Sequence, residues 1–324
     1  MMILVTGGAG FIGSEVIREL VNGGYGVVAV DNLDPYYDRS LKVHRCKLLN
    51  DLNNVEFIEG SILDEVLMRK LFSSYRFEGV INLAAMAGVR YSIENPEKYI
   101  SVNTLGSLKL LELMREFKVQ SYIMASTSSL YAGCKMPFTE DSDVRFPLSP
   151  YASSKLGAET AAYTYYVNHG ISVKVLRYFT VYGPAGRPDM SPFRFIEWVS
   201  RGDKIKLYGN GEQTRDFTYV VDVAKATIAA LKEPSQSFEI INIGGGAKRT
   251  SMMGLIQLIE KNVGRKAEID FLPVSPGDML HTSADISKAK ALLDWTPSTT
   301  VEKGIEQTVQ WHMNNRKWLN KIDL

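Results

Sequence analysis

The chain has 324 residues, 45% of them hydrophobic, and a formal net charge of +1 at pH 7. This composition is typical of a soluble globular protein with one large domain or two interleaved ones. The near-neutral charge and the lack of basic runs argue against nucleic acid or an anionic membrane as a partner. The two cysteines, Cys46 and Cys134, are far apart and outside any metal-ligand spacing, which predicts free thiols, a reducing cytoplasm and no metal site.

The N-terminal sequence MMILVTGGAGFIG is apolar but has no basic segment before its glycines. It therefore predicts a first strand and not a signal peptide. No apolar stretch reaches the roughly 18 residues that a membrane span requires. These features predict a cytoplasmic protein without a membrane partner.

Short β-branched runs alternate with segments of helical spacing through the first half of the chain. In chain order the predicted strands are ILV, GVVAVD, VEFIEG, GVINLAA, SYIMAS and VKVLRYF. This alternation is typical of βαβ units, so it predicts the α/β class with a Rossmann-type doubly wound parallel sheet. The connection over 32–54 is long, although its middle, LKVHRCKLL, could form a helix that shortens it.

After Gly183 the sequence changes to YGPAGRPDMSP and then to shorter elements. This change predicts a dinucleotide-binding domain over 1–183 and a smaller substrate-binding lobe mainly over 184–324. A later apolar run, FEIINIG, has the pattern of another sheet strand. The lobe is therefore expected to be interleaved, with about 214–250 returning to the first domain.

The sequence ILVTGGAGFIGSEVIREL places Gly7, Gly10 and Gly13 after a predicted strand and at the start of a helix. Glycines there allow a tight turn and close approach to a pyrophosphate, although a turn that binds nothing would look the same. Asp31 ends the second strand eighteen residues after Gly13, where a carboxylate could bind ribose hydroxyls. Because Asp31 is acidic and is followed by Asn32 with no nearby arginine, the predicted cofactor is NAD and not NADP.

The sequence SPYASSK places Tyr151 and Lys155 four residues apart at the start of a predicted helix, so their side chains share one face. An adjacent ammonium and a nicotinamide cation would stabilise the Tyr151 phenolate. Tyr151 could then act as general base toward a substrate hydroxyl. A bare YxxxK also fits an amphipathic helix, but the glycine loop upstream makes that alternative improbable.

Five segments together resemble the extended short-chain dehydrogenase/reductase superfamily, specifically its nucleotide-sugar epimerases. They are TGGAGFIGS, STSSLYAG, SPYASSK, LRYFTVYGPAGRPDM and RDFTYVVDVAKA. The resemblance covers nearly the whole chain. Two segments, AAMAGVRYSIENPEKYISVN and RYFTVYGPAGRPDM, are most similar to the UDP-glucuronate 4-epimerases.

The resemblance implies that Thr127 completes a catalytic triad with Tyr151 and Lys155 by hydrogen-bonding the sugar 4-hydroxyl. Strand ends at the carboxyl edge of such a sheet face the cofactor crevice, where hydroxyl side chains suit a sugar. For Ser126, satisfaction of local backbone groups stays open as an alternative interpretation.

Ser128 and Ser129 occupy positions where related 4,6-dehydratases typically have an Asp-Glu pair and UDP-glucuronate decarboxylases have a glutamate at the second. Neither serine can supply a carboxyl group, so the resemblance implies plain epimerisation. The resemblance also implies a reaction cycle. Tyr151 takes the proton of the 4-hydroxyl while C4 gives a hydride to NAD. The 4-keto sugar then rotates and the hydride returns to C4, so there is no net redox change.

A 4-keto glucuronate is a β-keto acid, so an epimerase must hold its carboxylate in an orientation that prevents loss of CO2. The candidates for this are Arg187 and the hydroxyls of Thr127, Ser128 and Ser129, because a guanidinium fork matches a carboxylate. Arg90 is a second candidate of the same type. Without the resemblance, Arg187 would be interpreted as a solvated loop arginine.

For the nucleotide, the resemblance implies that Arg215 contacts the diphosphate. Asp278 matches a motif near the nucleotide pocket, and a loop cap is an equally good role for it. Thr180 and Ser275 replace an asparagine and a second diphosphate-binding arginine of the galactose-type epimerases. Both replacements are similar to the glucuronate group and argue against UDP-glucose as principal substrate.

The remaining predicted cofactor contacts come from four short segments. Ser61 stands where relatives commonly have an aspartate beside the adenine. With Asn32, the other residues expected to line the cofactor site are Phe11, Ile12, Ser61, Ile62, Leu83, Ala84 and Ala85.

Relatives usually dimerise through two helices per subunit, here PEKYISVNTLGSLKLLELMREF and SSKLGAETAAYTYYVNHG. The apolar stripes of these segments also fit an ordinary core, so the homodimer is an expectation. The alternative substrate pair is UDP-glucose and UDP-galactose. A non-catalytic dinucleotide-binding regulator is the alternative of another class, but such a protein would be expected to lose Tyr151 or Lys155, and both are present.

Overall fold

The computed structural model describes residues 1–246, 249–273 and 279–322. The strands are β1 (Met2–Thr6), β2 (Gly26–Asp31), β3 (Val55–Glu59), β4 (Phe77–Asn82), β5 (Ser121–Thr127), β6 (Ser172–Tyr178), β7 (Thr180–Tyr182), β8 (Ile205–Tyr208), β9 (Thr214–Arg215), β10 (Phe217–Tyr219), β11 (Phe238–Ile243), β12 (Thr250–Ser251) and β13 (Ile269–Leu272). The helices are α1 (Phe11–Asn22), α2 (Arg39–Asn50), α3 (Glu65–Ser74), α4 (Val89–Glu94), α5 (Pro96–Tyr99), α6 (Gly106–Glu116), α7 (Pro150–His169), α8 (Ser191–Arg201), α9 (Val220–Lys232), α10 (Met252–Val263), α11 (Ser287–Leu293) and α12 (Val301–Leu319). A π-helical turn joins α5 to α6, and a 3-10 turn follows β5.

The central sheet has seven strands in the order β11-β6-β5-β4-β1-β2-β3, and all its neighbouring pairs are parallel. Most of these strands are near-continuous apolar runs because helices cover both faces of the sheet. The chain reverses its direction of travel across the sheet between β1 and β4, which opens a crevice at the carboxyl ends of the strands. The predicted α/β class with a doubly wound parallel sheet is confirmed.

One apolar cluster lies on each face of this sheet. On one face α1 and α9 contribute Leu20 and Val223, and on the other face α3, α6 and α7 contribute Leu71, Leu110 and Ala158. Full burial of a leucine side chain contributes about 1.5–3 kcal/mol. These two layers hold the strand ends in fixed positions around the crevice.

The later part of the chain divides between the sheet and a second cluster. The predicted strand FEIINIG forms β11 and pairs with β6 in the central sheet. In contrast, β8 pairs with β13 beside α8, α10 and α12, whose apolar residues form a separate core that includes Ile196, Leu255 and Ile305. A domain boundary at residue 183, with 214–250 returning, stays a prediction.

The long connection over 32–54 contains α2, as its LKVHRCKLL pattern predicts. Asp38 caps this helix by accepting a hydrogen bond from the Ser40 amide at 2.8 Å. Within the described residues no helix is both long and apolar enough to cross a bilayer. The same residues contain no cluster of three His, Cys, Asp or Glu side chains that could hold a metal ion.

Candidate active site

A cleft of about 890 Å³ lies at the carboxyl edge of the central sheet and extends to the lobe around α8. Every predicted site residue that the structure describes lines this cleft. They are Gly7, Gly10, Phe11, Ile12, Gly13, Asp31, Asn32, Ser61, Ile62, Leu83, Ala84, Ala85, Arg90, Thr127, Ser128, Ser129, Tyr151, Lys155, Thr180, Arg187 and Arg215. Asp278 and Ser275 lie outside the described residues.

The loop between β1 and α1 has room for no side chain at its glycines. Gly7 has a φ of +71°, and a Cβ atom there would lie 2.7 Å from the Ala84 amide nitrogen. A Cβ atom on Gly13 would lie 2.1 Å from the Gly7 carbonyl oxygen, well inside van der Waals contact. The loop therefore brings backbone amides to the N-terminus of α1, an arrangement that fits a dinucleotide pyrophosphate.

Asp31 lies at the end of β2 with its carboxylate turned back toward this loop. Its oxygens accept hydrogen bonds from the Ala9 amide at 3.1 Å, the Leu33 amide at 2.8 Å and Lys42 Nζ at 3.4 Å. A carboxylate offers about four acceptor positions, so at least one remains for a ribose hydroxyl. Lys42 on α2 is a cation that the sequence analysis did not place beside Asp31, because the contact depends on how α2 packs.

Arg45, also on α2, links the two ends of the cleft. Its guanidinium is buried and donates to the Ala9 carbonyl oxygen at 3.1 Å, in the glycine loop. It also donates to the Ala185 carbonyl at 2.6 Å and to the Gly186 carbonyl at 3.3 Å, in the loop that precedes Arg187. Sequence reasoning missed this residue, since the acceptors are backbone atoms far away in the chain.

Tyr151 and Thr127 meet where α7 begins beside the end of β5. Ser149 caps α7 by accepting from the Ala152 amide at 3.2 Å, which fixes the start of the helix. The Thr127 hydroxyl accepts from the Ser129 amide at 3.1 Å and can still donate its own hydrogen. Burial raises the pKa of Tyr151, while a hydrogen bond from Thr127 and the charge of Arg187 oppose that rise.

Lys155 lies one turn further along α7 and is buried. Its Nζ donates to the Ala125 carbonyl oxygen at 2.9 Å, two residues before Thr127 on β5. Burial lowers the pKa of Lys155 to about 8, and the nearby Glu159 carboxylate opposes that decrease. The ammonium is therefore charged at neutral pH but titrates close to the physiological range.

A buried ion pair supports the strand end that carries Thr127. Glu159, another turn along α7, accepts from Arg177 Nη2 at 2.7 Å and from the Ser126 hydroxyl at 2.5 Å. Arg177 also donates to the Tyr131 hydroxyl at 2.9 Å. Ser126 is thus engaged with a side chain of the helix, which differs from the local backbone role considered for it.

Arg187 lines the same cleft as the hydroxyl cluster and has a partner of its own. Its Nε donates to Asp189 Oδ1 at 3.0 Å and its Nη2 to Asp189 Oδ2 at 2.6 Å. The Tyr36 hydroxyl donates to the same carboxylate at 3.2 Å, and the Arg187 charge lies 5.6 Å from the Tyr36 ring centre. Sequence reasoning missed Asp189 and Tyr36, although an acidic residue two positions after an arginine was a visible signal.

The two other predicted arginines lie toward the lobe. Arg90 stacks over the Tyr208 ring at 4.6 Å from its centre. Arg215 donates to the carbonyl oxygens of Thr214 at 3.0 Å and Leu280 at 3.3 Å. The cleft thus combines the glycine loop and Asp31 with the hydroxyls at the end of β5, the partly buried Tyr151, the buried Lys155 and three arginines.

Comparison with protein families gives one match that covers most of the chain. The family model described as GDP-mannose 4,6 dehydratase matches residues 4–308. A UDP-glucuronate 4-epimerase of Thermodesulfobacterium geofontis is 47% identical over 319 residues, which cover 98% of each chain.

Solved structures give the same result at the level of the fold. A UDP-glucuronic acid 4-epimerase of Bacillus cereus in complex with UDP-glucuronic acid and NAD superposes with a TM-score of 0.92 at 37% identity, covering 97% of this chain and 100% of that one. A UDP-glucose 4-epimerase of Thermotoga maritima with UDP-glucose gives a TM-score of 0.88 at 34% identity, covering 98% and 100%.

Proposed function

The chain belongs to the GDP-mannose 4,6 dehydratase family, and we propose that it is a UDP-glucuronate 4-epimerase that uses NAD. The observation that carries this proposal is one cleft that joins a dinucleotide loop, the Tyr151-Thr127 pair and Arg187. The absence of a carboxyl group at Ser128 and Ser129 favours epimerisation over dehydration or decarboxylation. The reaction interconverts UDP-glucuronate and UDP-galacturonate.

The cofactor end of the cleft fits NAD. Backbone amides at the start of α1 receive the pyrophosphate, and Asp31 accepts from a ribose hydroxyl. An unesterified ribose suits this carboxylate, whereas a 2′-phosphate would be repelled by it. When bound, NAD accepts the hydrogen of C4 with its electron pair and gives it back, so it is recycled within one turnover.

The triad moves the proton of the sugar 4-hydroxyl. Thr127 orients that hydroxyl and Tyr151 removes its proton as C4 is oxidised, then returns the proton when C4 is reduced from the other face. Because burial raises the pKa of Tyr151, its phenolate needs positive charge nearby. Lys155, held on the Ala125 carbonyl, supplies a positive charge on the same helix face.

Arg187 and the hydroxyls of Thr127, Ser128 and Ser129 hold the sugar carboxylate. Asp189 accepts from Nε and Nη2 of Arg187, and the Ala87 carbonyl oxygen also accepts from Nη2, so the sugar carboxylate meets Nη1. Holding that group close to the plane of the C4 carbonyl prevents overlap between the breaking C–C bond and the carbonyl π-system. The 4-keto sugar then keeps its CO2 while it rotates.

The decisive experiment is incubation of the purified protein with UDP-glucuronate, without added NAD, followed by proton NMR. UDP-galacturonate at a stable ratio to substrate, with no pentose product, is the expected result. A parallel tube with UDP-glucose tests the second candidate, which the likeness to the Thermotoga maritima UDP-glucose 4-epimerase favours. Interconversion of UDP-glucose and UDP-galactose alone would keep the triad and overturn the role of Arg187.

We further propose a homodimer that pairs α6 and α7 of each subunit. Leu105, directly before α6, and Tyr163 and Val167 on α7 are apolar side chains that are 43%, 50% and 58% exposed. Exposed apolar side chains on these helices favour a second copy of the chain as their cover. Sedimentation of Val167→Glu and the unaltered protein tests this, and a monomer in both at micromolar concentration rejects it.

The two cysteines are free thiols, which favours a reducing compartment, and we propose a cytoplasmic location. Fractionation of the source cells, with a known cytoplasmic enzyme as marker, tests this placement. Recovery of the protein with secreted or membrane fractions would contradict it.

A further inference from the structure

Arg194 lies in the second turn of α8 and lines the cleft. Its guanidinium lies over the Trp198 ring at 4.9 Å from the ring centre. Its Nε is completely buried and has no hydrogen-bond partner. Among the residues that the structure describes, no carboxylate or carbonyl oxygen pairs with this side chain.

Three other buried or partly buried arginines of this protein have acceptors. Arg45 donates to carbonyl oxygens of two loops, Arg177 to Glu159, and Arg187 to Asp189. A buried guanidinium nitrogen without an acceptor costs free energy, because its water has been removed and nothing has replaced it. Arg194 differs from these three, because no described residue accepts a hydrogen bond from its guanidinium. Its buried Nε is closed to a ligand, so the outer nitrogens Nη1 and Nη2 are the donors that remain for one.

The charge of the surrounding wall defines what Arg194 can bind. Of the described residues after 183 that line the cleft, Arg187, Arg194, Lys206 and Arg215 are cationic, and Asp189 is acidic. Asp189 is paired with Arg187, while Arg194 and Lys206 add positive charge to this part of the wall. Such a wall attracts an anion with several charges.

The position of Arg194 along α8 indicates that the anion it binds is a diphosphate. Helix α8 starts directly after the loop with Arg187, which faces the sugar, and leads toward Trp198. Arg194 lies about one turn into the helix, between the sugar end and the end lined by Trp198 and Tyr208. In a UDP-sugar the group between sugar and nucleoside is the diphosphate.

We propose that Arg194 is a substrate-binding residue that donates to the diphosphate of the UDP-sugar, an inference that rests on the proposed function. Its planar fork presents two parallel N–H groups to a pair of phosphate oxygens. Stacking on Trp198 orients the guanidinium before substrate arrives, so less side-chain entropy is lost on binding. The cation–π contact does not use the in-plane N–H donors.

The test compares three variants with the unaltered protein by calorimetry with UDP and with uridine. Arg194→Met removes the fork, Arg194→Lys keeps the charge without the fork, and Arg69→Met is the matched control. Arg69 lies outside the cleft and pairs with Glu116 at the surface. NAD content and the melting temperature are measured on each protein.

Arg194→Met is expected to weaken UDP binding by about 10- to 100-fold, because one or two charge-assisted hydrogen bonds are lost. Uridine affinity is expected to stay within about threefold, since uridine lacks the diphosphate. Arg194→Lys should fall between the two, and Arg69→Met should match the unaltered protein. This pattern supports the proposal.

Three results would overturn it. UDP affinity of Arg194→Met equal to that of the unaltered protein excludes a diphosphate contact. Equal losses for UDP and uridine would assign Arg194 to packing against Trp198. A loss confined to UDP-glucuronate, with UDP unaffected, would move it to the sugar carboxylate.

The unaltered protein reports separately on the proposed function. If it binds UDP and epimerises UDP-glucuronate while Arg194→Met keeps its UDP affinity, only the inference about Arg194 is rejected. If the unaltered protein binds no UDP, the proposed function is rejected, together with this inference.

Discussion

The two ends of the cleft are built in different ways. At the cofactor end, Gly7, Gly13 and Asp31 lie within the first 31 residues, and backbone atoms define the space. At the sugar end, Tyr151 and Arg187 come from distant segments and are positioned by side-chain contacts.

This difference determines how each end should respond to mutation. A Cβ atom that collides with a backbone carbonyl cannot be accommodated by a side-chain rotation. A single such substitution at the cofactor end should therefore lower both the stability of the fold and the binding of NAD. At the sugar end each contact can be removed with its neighbours still in place, so effects should be graded and specific. Arg45 joins the two ends, since it donates to Ala9 in one and to Ala185 in the other.

Tyr151→Phe should have the largest effect, because it removes the proposed base without changing the shape of the ring. We expect the epimerisation rate on UDP-glucuronate to fall by about 10²- to 10⁴-fold. Retained NAD and the melting temperature should not change. The matched control is Tyr163→Phe on the same helix, where the side chain is half exposed, and a Tyr151→Phe rate equal to that control's would reject the base assignment.

Gly13→Ala tests whether one substitution at the cofactor end has both effects. The added Cβ would lie 2.1 Å from the Gly7 carbonyl oxygen. We expect a loss of about 1–3 kcal/mol in the free energy of unfolding together with loss of copurified NAD. Gly24→Ala is the control, because its φ of +83° strains an alanine while no atom lies within 4 Å of the added Cβ.

Comparing Gly24→Ala with Gly13→Ala separates the effect of backbone strain from the effect of the steric collision. Gly24→Ala should cost about 1 kcal/mol from its left-handed backbone and leave the NAD content unchanged. Normal NAD content in Gly13→Ala would show that the loop tolerates a side chain, and our account of the cofactor end would then be wrong.

Arg187→Ala should show the graded response of the sugar end. We expect activity on UDP-glucuronate to fall by about 10- to 100-fold, since a charge-assisted contact to the carboxylate is lost. The NAD content should be preserved, as measured by absorbance after denaturation. Equal losses of activity and NAD would indicate a folding defect and contradict a specific role at the carboxylate.

The pH dependence should give the smallest effect. Lys155 is charged below its pKa of about 8 and neutral above it, because burial lowers that pKa from the ordinary value for lysine. The epimerisation rate should therefore decline as pH rises from 7.5 to 9, by up to about tenfold per pH unit above the pKa. A rate that is constant across this range in a pH-rate profile would show that the charge of Lys155 is not needed.

Much of the fold was predictable because its signals are local. The alternation of apolar runs with helical spacing predicted the parallel sheet, and β1 to β6 lie where those runs occur. The LKVHRCKLL pattern predicted a helix that the structure places at Arg39–Asn50. The spacing of Tyr151 and Lys155 likewise placed both on one helix face.

The contacts that the sequence analysis missed involve partners far apart in the chain or atoms of the backbone. Lys42 approaches Asp31 only because α2 packs against the end of β2. Tyr36 donates to Asp189 across 153 positions of sequence. No periodicity or motif records such a pairing.

The sequence by itself determined the sheet, the glycine loop and the catalytic pair, since steric and periodic constraints act over a few residues. Only the tertiary structure decided which partners hold Arg187, how Arg45 joins the two loops, and that Arg194 has a buried nitrogen without an acceptor. Hydrogen bonding and desolvation depend on the atoms that folding brings together, and those atoms belong to residues that are distant along the chain.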